Sequence, residues 1–545
     1  MGEPEKEKER TSMKAKKVLA MLMASAMIMG TSVTAFAGNG VKPTENDSAI
    51  VTISGVTDTT ATYEAYQIID ASYDSNGFTG YVWATGMTNA GEKVTNPDEA
   101  ITDDKITKLA ANPVGLTQFD SDPDTPGAQF NPKTDALTVG TWMIIVKPGV
   151  NDKTTIYNPM IVSVYYALDN TSGDSNRVAG SVDATSDWTL NEEGAYAKSS
   201  KIPSEKTVED AENEVGEKPT FHLKGTVPSY AEDYYVNPVY KFTDTISNGL
   251  KYVLDDTSEK PKITVTIGTE GVSTVVSEVD PSNYTIEYDA SKSNTFTVIF
   301  NETFIFGLAD KPAADRAIDV EYQAEVTSDA ITKVGENSFK IEYSNTPDTT
   351  TTAEEKKVYT YTFSLDGVLK KVGEGEEDSN GLDGATFALY RDYVDTDDDG
   401  NPDTLRDQFG SDYVTTDDFD IEFKGLDADR PYYLKEVAAP LGYSVNQNVY
   451  KIEFINLKYS DETPAKLLTY DVKVTNMTDN TVLVDGVEIS YGEPLDESAA
   501  SIANTKLSDL PSTGGIGTTI FTIGGCVIMV TAAGLYFATR KKEQN

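Results

Sequence analysis

Short runs in which every second residue is apolar recur through the middle of this chain, among them "KITVTIGT", "NTFTVIF" and "SFKIEYSN". A period of two puts alternate side chains on opposite faces of an extended strand, so each run can bury one face and wet the other. Val, Ile, Thr, Tyr and Phe fill these runs, and those residue types suit a pleated sheet. Turn-rich stretches such as "SDPDTPGAQFNPKTD" separate runs of this kind. The pattern predicts an all-β chain of tandem immunoglobulin-like sandwich domains. A length of 545 residues leaves room for about three or four of them.

Three segments of similar size are expected. The first covers 38–190 and includes "ATYEAYQIIDA", "GTWMIIVKPG" and "NPMIVSVYYALD". The second covers 200–348 and the third 357–507, with the Thr-rich stretch "TPDTTTTAEEKK" read as a linker between them. No close sequence repeat relates the three.

Charge and rare residues exclude several functions. Asp and Glu number 88 against 45 Lys and Arg, a formal net charge of −43. Nucleic-acid binding needs a basic surface, so it is not expected. The acidic excess suits a solvated, self-repelling surface protein. Cys526 is the single cysteine and His222 the single histidine. No intrachain disulfide can form, and a zinc cage or a Cys–His or Ser–His catalytic site would lack partners. His222, in "TFHLKG", reads as an ordinary strand residue, and no cofactor is expected. In "DTDDDGNPD", Asp395, Asp397, Asp399 and Gly400 match the start of a calcium loop. The twelfth position is Arg406, with Asp407 beside it, and no helices flank the run. A solvated acidic loop is therefore the expectation, with calcium as the alternative.

Both ends read as addresses. Lys14, Lys16 and Lys17 precede an apolar run from Val18 to about Met29, and Ala35–Phe36–Ala37 forms a small-x-small cleavage site. Residues 1–37 are thus a predicted signal peptide, with Met13 an alternative start. Residues 510–545 hold "LPSTG", an apolar run over Ile516–Ala538 long enough to span a bilayer as a helix, and the basic residues Arg540, Lys541 and Lys542. Leu510, Pro511, Ser512, Thr513 and Gly514 resemble the LPxTG sorting motif of Gram-positive surface proteins. That resemblance implies that a sortase cuts after Thr513 and passes its carbonyl to an amine, leaving the mature protein attached to peptidoglycan outside the cell.

In the third segment, "YYLKEVAAPLGY" resembles the pilin E-box YxLxETxAPxGY at Tyr432, Leu434, Glu436, Ala439, Pro440, Gly442 and Tyr443, with Val437 where Thr is usual. "FSLDGVLKKVGEGEEDSNGLDGATFALY" resembles the opening of a Cna-B-type domain. Such domains form a Lys–Asn isopeptide bond unaided. The resemblance implies Lys371 as nucleophile, Glu436 as catalytic acid and Asn504 as acceptor. Strand alternation favours Lys371 over Lys370, placing it with Leu369 on the inner face. The residue types fit the chemistry. Burial lowers a lysine's pKa and makes it a neutral nucleophile, while a buried acid can polarise the amide and relay protons as ammonia leaves. The product ties the first strand to the last, as a disulfide would, with no redox requirement.

In the second segment, "YKFTDTISNGLKYV" resembles the Cna-A-like domain of backbone pilins. There Asp244 is the expected acid, Lys206 the nucleophile and Asn345 the acceptor, with Asn337 the second choice. No comparable lysine stands out on the early strands of the first segment.

Taken together, the chain resembles a sortase-assembled major pilin. Such pilins join a second reactive lysine, in a motif like WxxxVxVYPK, to the sortase-bound Thr of the next subunit. "DWTLNEEGAYAKSSK" echoes it with Trp188, Tyr196 and Lys198, but Ala197 replaces Pro and the spacing is one residue longer. Lys198 is the expected polymerising residue, with Lys201 as the alternative. The implied partners are a sortase, identical subunits, tip or accessory pilins and peptidoglycan. The expected role is that of a shaft subunit of a covalent pilus, structural and not enzymatic. The rival reading is a monomeric wall-anchored adhesin for host matrix or glycans, which would need no Lys198.

Overall fold

The computed structural model describes residues 40–542, apart from 98–99, 121–128, 151–153, 169–176, 274–275, 290, 292–293, 332, 376–380, 397–401, 496 and 508–515. The predicted signal peptide and the Leu510–Gly514 motif lie outside the described residues. The chain divides into two compact units. One holds residues up to Ala211 together with Gly216–Asp329 and Gly335–Thr360; the other holds Glu212–Val215, Ala330–Val334 and the chain from Tyr361 onward.

The first unit begins with an eight-stranded antiparallel sheet. Its centre is Gly140–Lys147, hydrogen-bonded to Thr62–Asp74 on one side and Met160–Leu168 on the other. Seven consecutive residues of Gly140–Lys147, "GTWMIIV", are buried, because this strand has neighbours at both edges and cover on both faces. Trp188–Glu193 closes one end by pairing with Met160–Leu168.

The rest of the first unit is a sandwich of two six-stranded sheets. One is built on Ala317–Val326, flanked by Thr220–Thr226 and Ile263–Ile267, with Ser204–Val208 at an edge. The other is built on Tyr240–Ile246, flanked by Thr295–Phe300 and Gly335–Thr346. Burial alternates residue by residue along Thr220–Thr226, Tyr240–Ile246 and Thr295–Phe300, as a sheet with one wet face requires. Phe296 of one sheet meets Tyr322 of the other edge to face, with ring centroids 5.1 Å apart.

The Thr-rich stretch expected to be a linker is part of this sandwich. Thr349–Thr352 and Lys356–Thr360 both pair antiparallel with Gly335–Thr346. The Pro, Asp and Glu residues suggested a linker, but Thr is β-branched and extends an edge strand well.

The second unit has a six-stranded antiparallel sheet in the order Thr404–Val414, Thr386–Val394, Tyr432–Ala438, Val449–Tyr459, Leu467–Asn476, Val482–Ser490. Beside it, Leu369–Gly373 pairs in parallel with Ala500–Asn504, joining the start and the end of the unit. The helix Ile516–Lys542 covers the apolar run expected to cross a membrane. Among the described residues no helix is long and apolar enough to cross a membrane, side chains being described only over 521–536 of this one. Cys526 is exposed on it.

Candidate isopeptide sites and the polymerising lysine

In the second unit, alternation along Tyr432–Ala438 turns Tyr432, Leu434 and Glu436 inward. The chain then turns at Gly442, whose φ of +91° no β-carbon obstructs, so glycine is needed for the backbone angle and not for space. The Gly442 carbonyl accepts from Leu507 N at 2.8 Å, and Ser444 N donates to Thr505 O at 3.0 Å. These bonds hold the last strand against the end of the E-box.

Lys371, Glu436 and Asn504 meet there, each no more than 1% exposed. Lys371 lies opposite Ile502 in the parallel ladder, and Asn504 lies opposite Gly373. Lys371 Nζ donates to Asn504 Oδ1 and to Ile502 O, both at 2.8 Å. Asn504 Nδ2 donates to Glu436 Oε1 at 2.7 Å, and Asn446 N donates to Glu436 Oε2 at 2.6 Å. Burial pulls the Lys371 ammonium down to about 8, against the opposing pull of the Glu436 charge. An amine that loses its proton more readily than an ordinary lysine thus stands at an amide whose nitrogen already faces a carboxyl group. That arrangement can form a C–N bond and protonate departing ammonia. Lys370 is only half-buried, its ammonium 5.8 Å from the centre of the Phe419 ring.

In the first unit, Lys206 occupies the inner face of Ser204–Val208, opposite Leu223. Asp244 occupies the inner face of Tyr240–Ile246 in the facing sheet. Both side chains are fully buried and in direct contact through Lys206 Nζ and Asp244 Oδ2. Burial lowers the Lys206 pKa, and the Asp244 charge opposes that shift. Asp244 Oδ1 accepts from two phenols, Tyr252 Oη at 2.8 Å and Tyr322 Oη at 2.7 Å.

The amide at this cluster is Asn337, not the expected Asn345. Asn337 is fully buried, and its Nδ2 donates to Tyr322 Oη at 2.6 Å; Lys206 Nζ donates to the same oxygen at 3.2 Å. Asn345 sits where the strand register shifts, half-buried, its Oδ1 accepting from Thr349 Oγ1 at 2.9 Å. Asp244 pairs with Phe339, two residues from Asn337. Asn345 is six residues along the strand from that point, roughly 20 Å at the usual rise, beyond a lysine's reach. Tyr322 and Tyr252 were not singled out in the sequence. The available signal was a tyrosine on an otherwise apolar strand face, since a buried hydroxyl requires a polar partner.

Residues 367–463 match the SpaA family, described as a prealbumin-like fold domain, and residues 503–545 match the LPXTG cell wall anchor motif. The chain is 25% identical over 553 residues to the trypsin-resistant surface T6 protein of Streptococcus pyogenes serotype M6, covering 88% of this chain and 93% of that one. The solved T6 backbone pilin of the same serotype, described as a modular three-domain structure, superposes with a TM-score of 0.50 at 17% identity. The match covers 86% of this chain and all of that one. Over most of its length the chain is thus similar to a Gram-positive surface pilin. The LPXTG match supports attachment at the cell wall.

Elsewhere in the chain, Lys198 lies between the short strands Ala195–Tyr196 and Ser199–Lys201. Alternation buries Ala197 completely and exposes Tyr196 and Lys198. The backbone is held on both sides of the lysine: Ala197 N donates to Ser54 O at 2.8 Å, and Lys198 O accepts from Asn158 N at 3.1 Å. Trp188 is buried, its indole N–H bonded to Val41 O at 3.0 Å. The Lys201 side chain lies outside the described residues.

The acidic run from Asp395 falls in sequence between Thr386–Val394 and Thr404–Val414, and Asp397, Asp399 and Gly400 fall outside the described residues. Arg406 pairs across that hairpin with Asp392, and Asp407 holds Arg391 at 3.0 Å. No cluster able to hold a metal ion occurs among the described residues. His222 faces Asp319 at 3.1 Å on a sheet surface.

Proposed function

We propose that this protein is the repeating shaft subunit of a covalent pilus. A sortase joins Thr513 of one subunit to Lys198 of the next, and each subunit reinforces itself with two isopeptide bonds, Lys371–Asn504 and Lys206–Asn337. The observation that carries this reading is the buried Lys371–Asn504–Glu436 constellation on the first and last strands of a unit that leads into an LPXTG anchor. Lys198 suits the intersubunit role because it is exposed on a backbone held from both sides, so a bulky acyl-enzyme can approach it. Leu510, Pro511, Ser512 and Gly514 would present Thr513 to the sortase. Residues 1–37 would direct export. The segment matched by the LPXTG anchor motif would hold the precursor at the cell surface until cleavage. The internal bonds are single-turnover self-modification, so the pilin acts as a structural protein.

Coexpression with the cognate sortase tests the polymer. Wild-type protein is expected to give a high-mass ladder on a denaturing gel, and Lys198→Ala to abolish it. A ladder that survives Lys198→Ala overturns the Lys198 assignment. No ladder from wild type favours the monomeric adhesin. Intact mass tests the internal bonds, with the mature chain expected to fall short by one ammonia per bond.

A further inference from the structure

The two amide clusters differ in one contact. Asn504 Nδ2 donates directly to a carboxylate oxygen of Glu436. Asn337 Nδ2 donates to the hydroxyl of Tyr322, and Tyr322 in turn donates to Asp244 Oδ1. Among the described residues Asn337 Oδ1 has no hydrogen-bond partner. The Tyr322 hydroxyl is thus the polar group that links the amide of Asn337 to the acid. The other phenol on Asp244, Tyr252, also donates to Oδ1 and reaches the Asn294 carbonyl, not the amide.

We propose that Tyr322 is a catalytic residue of the Lys206–Asn337 reaction, carrying a proton between Asp244 and the departing amide nitrogen. This rests on the reading that the bond forms. Lys206 first gives a proton to Asp244 Oδ2 across their direct contact, leaving a neutral amine and a carboxylic acid. The Nζ lone pair attacks Asn337 Cγ, and the C=O π electrons move to Oδ1. The protonated carboxyl of Asp244 turns to bring its proton to the oxygen facing Tyr322, and Tyr322 gives its own hydroxyl proton to Nδ2 while it receives that one, so no phenolate accumulates. The C–Nδ2 bond breaks, ammonia leaves and the C=O bond reforms. Nζ loses its extra proton to Asp244 and then to the departing ammonia. Asp244 and Tyr322 end as they began. Burial and the Asp244 charge hold the Tyr322 phenol well above its ordinary pKa, which suits a hydroxyl that passes protons on without ionising.

The test follows ammonia loss at each bond in full-length chains from cell-free synthesis, by mass spectrometry of crosslinked peptides against time. Tyr322→Phe keeps the ring stacked on Phe221, whose centroid lies 5.4 Å away. It is expected to slow the Lys206–Asn337 bond about 100-fold, the usual contribution of a proton-transfer group. The Lys371–Asn504 bond in the same chains should form at its wild-type rate. Fluorotyrosines at position 322 alter phenol acidity with little change in shape. A rate that tracks their acidity supports the relay, because packing alone would not produce it. Equal rates across that series, or a Tyr322→Phe chain that crosslinks as fast as wild type, overturn it. A wild-type chain that never links Lys206 to Asn337 overturns the crosslink reading itself, a distinct result.

Discussion

The Lys206 and Lys371 clusters reach similar chemistry by different routes. Lys371 and Asn504 belong to neighbouring parallel strands, so their meeting is fixed by one ladder register. Lys206 and Asn337 belong to facing sheets of a sandwich, so their meeting depends on how two sheets pack. The acids differ as well. Glu436 touches the amide and accepts no hydrogen bond from Lys371, whereas Asp244 touches the lysine and reaches the amide through Tyr322. One site places its acid at the leaving group, the other at the nucleophile. A tyrosine makes up the missing contact in the second case.

The largest difference to probe is loss of each bond. Each would close a loop of roughly 130 residues, and the chain-entropy treatment of crosslinks gives about 5 kcal/mol for a loop of that size. Asn504→Ala should lower the denaturant stability of the second unit by about that much, and Asn337→Ala that of the first. Each should remove one ammonia from the deficit between the measured mass and the mass calculated from the sequence. Asn345→Ala should leave that deficit unchanged and alter stability by no more than about 0.5 kcal/mol, since its side chain makes one bond at a turn. An Asn345→Ala chain that keeps its ammonia would restore the acceptor expected from sequence.

Removing each acid has a smaller, kinetic effect. Glu436→Gln keeps the side-chain shape and removes the proton donor beside Asn504. Asp244→Asn removes the base in contact with Lys206. Each should slow its own bond by about 100- to 10,000-fold, the range for acid–base groups, and leave the other bond at its wild-type rate. Time-resolved intact mass resolves the two. If either change slowed both bonds, the clusters would not be independent.

How far these sites could be read beforehand depends on whether one strand or several decide them. Alternation within "VLKKVG" separates Lys371, fully buried, from Lys370, and alternation through Tyr432, Leu434 and Glu436 turns that acid inward. Those are properties of one strand, and a period of two displays them. The choice between Asn337 and Asn345 is different. Both have the same parity on Gly335–Thr346, and only the register against Tyr240–Ile246 puts Asn337, two residues from the partner of Asp244, at the cluster. Register and the irregularity near Ser344 are set by pairing between distant segments, which the local pattern does not encode. Tyr322 was missed for the same reason, since its role exists only where two sheets face each other. The Thr-rich edge strands failed on composition, where polarity suggested a linker and β-branching determined the outcome.

The contrast between the acids also predicts different pH dependences. Attack requires a neutral amine. Lys371 makes its hydrogen bonds to carbonyl oxygens, so its proton must leave to solvent or cross the site. With its pKa near 8, the neutral fraction rises about tenfold per pH unit below that point and levels off above it. Lys206 can pass its proton to Asp244 inside the protein, which uncouples the reactive form from bulk pH. Chains released from cell-free synthesis and shifted at once to buffers between about pH 6 and 9.5 should therefore show two profiles. The Lys371–Asn504 rate should climb and then flatten near pH 8, while the Lys206–Asn337 rate should vary by no more than a few-fold. Parallel profiles for the two bonds would mean that direct contact with Asp244 does not supply the proton acceptor, and the division of labour between the two acids would fail.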